Sequence, residues 1–195
     1  MAEIPDSPSE FFTQYVPKRF DAIKASLAGK SSSGCISFRV TGVGEWSLRL
    51  ADGELVVEPG VGDDVIMQVS VNQADFAAVI VEGARQQEAK DAKPEQQVMA
   101  LKAITIDATR AAQVRGVAGS VGLVVTDGAT TRSVTLTPGS QAPNLDAPEC
   151  KLSCQMSDFI DWQEGRIQPM QLVMTGKMRI EGNAQIPMAL TAVLA

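Results

Sequence analysis

The chain has 195 residues, of which 45% are hydrophobic and 21% charged, and its formal net charge is −6. A negative balance disfavours nucleic acid as a partner, because that binding depends on clustered Lys and Arg side chains. The chain contains no histidine, which excludes Ser-His-Asp and Cys-His nucleophilic sites and histidine-ligated metals. An enzyme of this sequence would have to use carboxylates, Lys, Tyr or Cys, and no motif indicates such a site. We therefore expect a globular, non-enzymatic protein with no catalytic residues, no metal site, no cofactor and no nucleic-acid partner.

The first predicted element is a helix that begins near the N-terminus. Ser7 and Glu10 have the spacing of a capping box, and apolar residues then recur at helical spacing up to Leu27. Pro17 is expected to kink or split this helix, and Gly29 is expected to end it.

Three strands are predicted next, from alternating apolar and polar residues around 36–40, 46–50 and 65–71. Gly-rich and Asp-rich turns separate them. A repeat of two residues with one polar face predicts a sheet that is covered on one side only. The stretch that follows the third strand predicts a short helix ending at Gly83.

The most polar part of the chain, residues 84–97, is predicted to be a linker or a surface helix. Residues 98–114 are apolar enough to pack, and their pattern favours a helix for most of this stretch.

The order of elements then repeats. The sequence "GSVGLVVTDGATTRSVTLTPG", which starts at Gly119, aligns with "GCISFRVTGVGEWSLRLADG", which starts at Gly34. Asp158 and Phe159 align with Asp75 and Phe76 in the same way. These matches, at an offset of about 85 residues, predict an internal duplication.

The predicted duplication divides the chain into two units. Residues 1–113 form the first unit with its polar helical linker, and residues 114–195 form the second. The second unit continues into "RIQPMQLVMTGKMRIEGNAQIPMALTAVLA", which has no counterpart in the first. The first copy is therefore expected to be incomplete.

The end of the chain resembles the sterol carrier protein type 2 family of lipid-binding domains. The stretch "CKLSCQMSDFIDWQEGRIQPMQLVMTGKMRIEGNAQIPMAL" has that family's order of strand, short helix, Gly, Pro-containing segment, Gly-Lys strand and closing helix. The N-terminal stretch "FFTQYVPKRFDAIKASLAGKSSSGCISFRV" is similar to the family's opening helix and first strand. The matching positions are Gly165, Pro169, Gly176, Lys177, Met178, Ile180 and Gly182.

This resemblance implies an α+β fold, with a mixed, largely antiparallel sheet that carries helices on one face. It also implies a hydrophobic tunnel between sheet and helices that accepts sterols, fatty acyl chains or other lipids. The closing helix, with Asn183 as its cap, would act as the lid of this tunnel.

Five of the eight methionines lie in the last forty residues. Methionine is flexible and polarizable, so it suits either an irregular core or the wall of an adaptable apolar site. Both interpretations remain open for these residues. The predicted cavity lining is Met156, Phe159, Trp162, Met170, Leu172, Met174, Met178, Ile180 and Met188.

Two functions follow from these observations. The first is a lipid-binding or lipid-carrier protein without catalytic chemistry, which binds a lipid or fatty acyl ligand and allows transient membrane contact. The alternative is a protein-interaction or accessory module, such as a homodimer, in which the two repeats pack together and the cavity is closed.

The remaining expectation concerns location. Cys35, Cys150 and Cys154 match no zinc pattern, and we expect them to be buried, reduced thiols. No signal-peptide pattern and no run of 18 apolar residues is found. These features predict a cytoplasmic protein.

Overall fold

A computed structural model describes residues 4–27, 32, 34–89, 104–163 and 165–194. Its helical segments are α1 (Pro8–Glu10), a π-helical turn (Phe11–Tyr15), α2 (Val16–Ile23), a 3-10 turn (Lys24–Leu27), α3 (Gln73–Asp75), a second π-helical turn (Phe76–Val81), α4 (Glu82–Ala89), α5 (Ala108–Arg115), α6 (Met156–Gln163), α7 (Pro169–Met174) and α8 (Gln185–Leu194). Its strands are β1 (Cys35–Thr41), β2 (Gly44–Ala51), β3 (Glu54–Pro59), β4 (Val65–Asn72), β5 (Val121–Asp127), β6 (Thr130–Pro138), β7 (Cys150–Gln155) and β8 (Met178–Gly182). None of the described helices is long and apolar enough to cross a bilayer.

The eight described strands form one sheet in the order β3-β2-β1-β4-β6-β5-β7-β8. β1 pairs with β4 in parallel, and β5 pairs with β7 in parallel. The other five pairings are antiparallel. The predicted α+β class, with a mixed, largely antiparallel sheet, is therefore confirmed.

The strand pairing repeats within the sheet. In β2-β1-β4 and again in β6-β5-β7, the first strand of a hairpin also pairs in parallel with a later strand of the same half. β3 is added at one edge and β8 at the other. This arrangement is consistent with a duplicated domain. The two halves, β1–β4 and β5–β8 with their helices, are joined edge to edge by β4 and β6.

One hydrophobic core extends through both halves. On one face of the sheet, Phe38 lies opposite Trp46 on β2 and opposite Val69 on β4. Phe12, from the N-terminal helical segment, packs on this face with its ring centroid 4.9 Å from that of Phe38 and 5.0 Å from that of Trp46. The helical segment is thus anchored by aromatic contacts to the sheet.

The opposite face of the sheet is polar, and Lys151, Gln155 and Arg179 are exposed on it as the prediction of a sheet covered on one side requires, but the centre of this face is buried. The reason is that two loops lie over it. Gln68 Nε2 donates to the carbonyl oxygens of Gly139 and Gln141, at 2.9 and 2.7 Å. Gly62 lies so close to Ser47 that a Cβ atom on it would be 3.1 Å from the Ser47 side chain. The buried polar residues of this face include Ser37, Ser47, Gln68, Ser70 and Thr137.

The N-terminal helix differs from its predicted form in two ways. Ser7 is the N-cap residue, but its side chain makes no capping hydrogen bond, so the predicted capping box is not formed. Pro17 does not split the segment: helical residues continue on both sides of it, with a π-helical turn directly before α2. The predicted helix end at Gly29 lies outside the described residues.

The helix after β4 extends beyond its predicted end. Gly83 lies inside α4, which continues to Ala89. Strand β3 was not predicted from the sequence. Residues 90–103, which include most of the predicted linker, lie outside the described residues, and α5 begins after an Asp107 cap that accepts from the Arg110 N–H at 2.9 Å.

The three cysteines are free and buried, as predicted. Burial raises the pKa of the Cys154 thiol to about 11, with a smaller contribution from the Asp158 charge. A thiol with so high a pKa is a poor nucleophile at neutral pH.

Candidate ligand site

A groove of about 500 Å³ lies between helical segments that come from the two halves of the molecule. One wall is formed by residues of α3, the second π-helical turn and α4. The other wall is formed by α6, and the turn between β5 and β6 closes one side. We call this the inter-helix groove. Its lining residues are Ala74, Ala77, Ala78, Val79, Glu82, Gly83, Asp127, Thr130, Arg132, Met156, Phe159 and Ile160.

The α6 wall is apolar and is built from large side chains. Met156, Phe159 and Ile160 are spaced at i, i+3 and i+4, so they share one face of the helix. Phe159 is buried, while Met156 and Ile160 are half-buried. This wall can contact an apolar ligand over one full helical turn.

The opposite wall has the same spacing but small side chains. Ala74, Ala77 and Ala78 stand at i, i+3 and i+4 of the first-half helical segment. Gly83 continues this wall, and a Cβ atom built on it would meet no heavy atom within 4 Å. Because small residues face large ones across a gap, space remains between the two helical segments.

The first-half wall is fixed at its start by hydrogen bonds. The Asn72 side chain caps the helical segment by accepting from the Asp75 N–H at 2.8 Å. The buried Asp75 carboxylate accepts in turn from the Asn72 amide at 2.8 Å and from the Ser133 N–H at 2.9 Å. These contacts join the helix start to β6, and so position the wall against the β5–β6 turn.

The rim of the groove is polar. Arg132 is the cationic residue among those that line it, and its Nη1 atom lies 3.6 Å from Asp75 Oδ1. Glu82 and Asp127 add two carboxylates, and Glu82 lies 3.6 Å from the Arg85 guanidinium. A ligand in the groove would therefore place its apolar part on the walls and its polar part at this rim.

The structure brings two of the nine predicted lining residues, Met156 and Phe159, to the groove. Trp162 packs edge to face on Phe159 with centroids 5.9 Å apart. Leu172 and Met178 are buried in the core, and Ile180 packs against the core. These four residues therefore support the second half without lining the groove.

Met170, Met174 and Met188 are not among the lining residues, and they are 53%, 80% and 55% exposed. For α7 the reason is helix geometry. Leu172 is fully buried, and a residue two positions away on a helix is rotated by about 200°. Met170 and Met174 consequently point away from the core.

The first-half wall and Arg132 were not predicted from the sequence. A usable signal was present, because the small residues at 74, 77 and 78 have the same spacing as Met156, Phe159 and Ile160. The aligned aspartates and phenylalanines of the predicted repeat place these two patterns on equivalent helices. In the described ranges, no cluster of Cys, Asp and Glu side chains has a metal-binding arrangement.

Comparison with known proteins points to one family. The family model described as the SCP-2 sterol transfer family matches residues 96–195. No curated protein matches the chain.

Similar solved structures include sterol carrier protein domain 2 of Helicoverpa armigera, with 22% identity over 42% of this chain and 70% of that one, at a TM-score of 0.33. The apo form of sterol carrier protein 2 from Yarrowia lipolytica has 22% identity over 42% and 75%, at 0.34. Sterol carrier protein 2 like 2 from Aedes aegypti has 13% identity over 59% and 95%, at 0.34.

Proposed function

Because the chain belongs to the SCP-2 sterol transfer family, we propose that it is a lipid-binding or lipid-carrier protein that catalyses no reaction. The observation that carries this proposal is the family match over residues 96–195. The proposed ligand is a sterol, a fatty acyl compound or another lipid of similar size. The three free, buried thiols fit the reducing cytoplasm as its location.

The proposed binding site is the inter-helix groove. Its volume of about 500 Å³ lies within the range of roughly 300–1,000 Å³ that is usual for small-molecule sites. Phe159 and Met156 supply apolar contact on one side, and the alanines opposite leave room for the ligand. Arg132 at the rim supports an orientation in which the polar end of the lipid lies near β6.

We propose one ligand per chain. The interior of the first half, between its sheet and its helices, is filled by aromatic side chains, which favours a structural role for that half. The ring centroids of Phe11 and Phe12 lie 5.4 and 5.7 Å from that of Phe76, and Phe12 also packs on Phe38 and Trp46. The proposed structural units remain residues 1–113 and 114–195, and the repeated strand pairing supports this division.

A charge placed inside the groove tests the proposal. Ala78→Asp puts a carboxylate on the small-residue wall, where an apolar ligand would have to displace its water. We expect a fluorescent fatty-acid or sterol analogue to bind the variant at least about tenfold more weakly than the wild type, which corresponds to about 1.4 kcal/mol.

The matched control is Ala22→Asp, which changes an exposed residue of α2 far from the groove lining in sequence. It should bind the analogue as the wild type does. Equal binding by Ala78→Asp and the wild type would reject the groove as the site. A wild-type protein that binds no lipid analogue would reject the function.

A further inference from the structure

Strand β8 is an open edge of the sheet. It pairs with β7 on one side, and within the described ranges no strand pairs with it on the other. Edge strands are often protected from pairing by proline or by charge. The other edge has both, because β3 ends at Pro59 and its two charged residues, Glu54 and Glu58, are acidic. Strand β8 has no proline and carries one charge of each sign, so it lacks this protection.

The hydrogen-bond pattern shows which backbone groups of β8 point outward. The Cys150 N–H donates to the Ser120 carbonyl oxygen at 3.2 Å, on the β5 side of β7, so the backbone groups of Cys150 point away from β8. Cys150 pairs with Gly182, and the register of β7 with β8 is unbroken from this pair onward. Because hydrogen-bonded and non-hydrogen-bonded pairs alternate, Ile180 and Met178 direct their N–H and C=O groups away from β7.

A second copy of the chain can pair with this edge in antiparallel orientation, about a two-fold axis at Ile180. The two Ile180 residues would exchange both backbone hydrogen bonds, and Arg179 of each copy would lie opposite Glu181 of the other. The Arg179–Glu181 positions would then be non-hydrogen-bonded pairs, in which cross-strand side chains are closest. Opposite charges in such pairs stabilise an antiparallel ladder.

The existing contact between these charges is compatible with the pairing. Arg179 and Glu181 are two residues apart, so they share one face of the strand, and their charged groups lie 3.1 Å apart. In the paired strands each arginine keeps this glutamate and gains that of the other copy. The four charges alternate in sign, so each has two opposite charges as neighbours. The two side chains are 78% and 45% exposed, which leaves both accessible to a second copy.

Charge also selects one register among those that the backbone allows. Moving the two-fold axis to position 179 would place Arg179 opposite Arg179 of the other copy. Moving it to position 181 would place Glu181 opposite Glu181. Like charges directly opposite each other are destabilising, so the axis at Ile180 is favoured over its neighbours.

We propose that β8 is a self-association edge, through which two copies of this chain form a two-fold antiparallel dimer with one continuous sheet. A pair of five-residue strands covers only a fraction of the roughly 800 Å² per partner of a stable interface. We therefore expect a weak dimer, with a Kd on the order of 10–100 µM, which is mostly dissociated in dilute solution.

Sedimentation velocity between about 1 and 300 µM protein tests the dimer. The wild type should shift from single chains to dimers over this range. Arg179→Glu makes all four charges of the paired strands negative, and Glu181→Arg makes them all positive. Each variant alone should therefore dimerise at least about tenfold more weakly than the wild type.

Charge exchange between the two variants gives the sharpest result. An equimolar mixture of Arg179→Glu and Glu181→Arg should form heterodimers, because every charge then lies opposite one of the other sign. The double variant that carries both substitutions should dimerise as the wild type does. The proposal is overturned if the wild type stays a single chain throughout, if either single variant dimerises as well as the wild type, or if the mixed variants do not associate.

Lys18→Glu is the matched control, since it changes the net charge as Arg179→Glu does, at an exposed position of α2. It should dimerise as the wild type does, and an equal loss of dimer in both variants would reject the pairing in favour of a net-charge effect. No residue of β8 lines the inter-helix groove, so Arg179→Glu should bind the fluorescent lipid analogue normally. The dimer and the proposed lipid site can therefore fail independently.

Discussion

Lys177 Nζ donates a hydrogen bond of 2.8 Å to Asp158 Oδ1, and this contact ties the start of helix α6 to the start of strand β8. The Asp158 side chain is only 11% exposed, whereas that of Lys177 is 49% exposed. The hydrogen bond with Asp158 raises the pKa of the Lys177 ammonium group. A buried carboxylate thus depends on one lysine that reaches it from the next strand.

An equivalent contact with different chemistry joins the first half to the second. The Asp75 carboxylate accepts from the Ser133 N–H at 2.9 Å. Val134 pairs with Val71 on β4, four residues before Asp75, and Met178 pairs with Cys154 on β7, four residues before Asp158. Ser133 and Lys177 directly precede Val134 and Met178, so they occupy equivalent places. The same aspartate position therefore uses a backbone donor in one half and an ammonium group in the other.

Replacing Lys177 by methionine should destabilise the fold. The substitution keeps the length of the side chain but leaves the Asp158 carboxylate buried without its cationic partner. We expect the Tm to fall by about 3–10 °C in thermal unfolding at neutral pH. Arg179→Met, which removes a highly exposed cation two residues away, should change the Tm by about 1 °C or less. Equal shifts in the two variants would contradict the role given to the Asp158–Lys177 pair.

The Glu149 carboxylate should make stability depend on acidic pH. Its pKa is lowered from the usual 4.5, chiefly by the hydrogen bond from the Ser120 N–H and then by that from the Asn144 amide. A lowered pKa means that this stabilisation is present above about 4.5 and is lost as the pH falls through the folded-state pKa.

Glu149→Gln should therefore be less stable than the wild type at neutral pH, and the difference should shrink on acidification. Thermal unfolding between about pH 3 and pH 7 measures this. Asp146→Asn is the control in the same loop, and its difference in Tm from the wild type should not change in the way expected for Glu149→Gln. A constant difference between Glu149→Gln and the wild type at all pH values would show that ionisation of Glu149 is not involved.

Phe12 should be a major source of stability in the first half. It is 1% exposed, and its ring packs on those of Phe38, Trp46 and Phe76. Phe12→Ala would leave a cavity in this aromatic cluster, and we expect the free energy of unfolding to fall by about 3–5 kcal/mol. Denaturant unfolding gives this value. The exposed neighbour variant Gln14→Ala should lie within about 0.5 kcal/mol of the wild type.

Much of the fold could be predicted, because the signals were local. Alternation at Ile36, Phe38 and Val40 predicted β1, and the Gly165-to-Gly182 pattern predicted the family and fold class. Strand β3 was missed because residues 54–59 lie at the sheet edge and lack a clear alternation of buried and exposed positions. The burial of the polar face depends on loops that contact it across long stretches of sequence, as with Gln68 and Gln141.

The candidate site was harder to predict than the fold. Met156 and Phe159 were named from the apolar pattern of their helix, and the structure places both in the groove. The number of methionines does not show in which direction each side chain points. Met170 and Met174 were therefore predicted to line the cavity, although both point to solvent from their helix. The alanine wall comes from the other side of the predicted repeat boundary, and Arg132 lies on β6, so no local pattern connects either of them to α6.

The central claim is that one lipid occupies the inter-helix groove. Native mass spectrometry of wild type and Gly83→Leu, each incubated with fatty-acid and sterol ligands, tests it most directly. Leucine at this open position of α4 fills the groove and also favours the helix. We predict a mass increase of one ligand for the wild type and none for the stably folded variant. Two ligands per wild-type chain, or equal loading of both proteins, would contradict the claim.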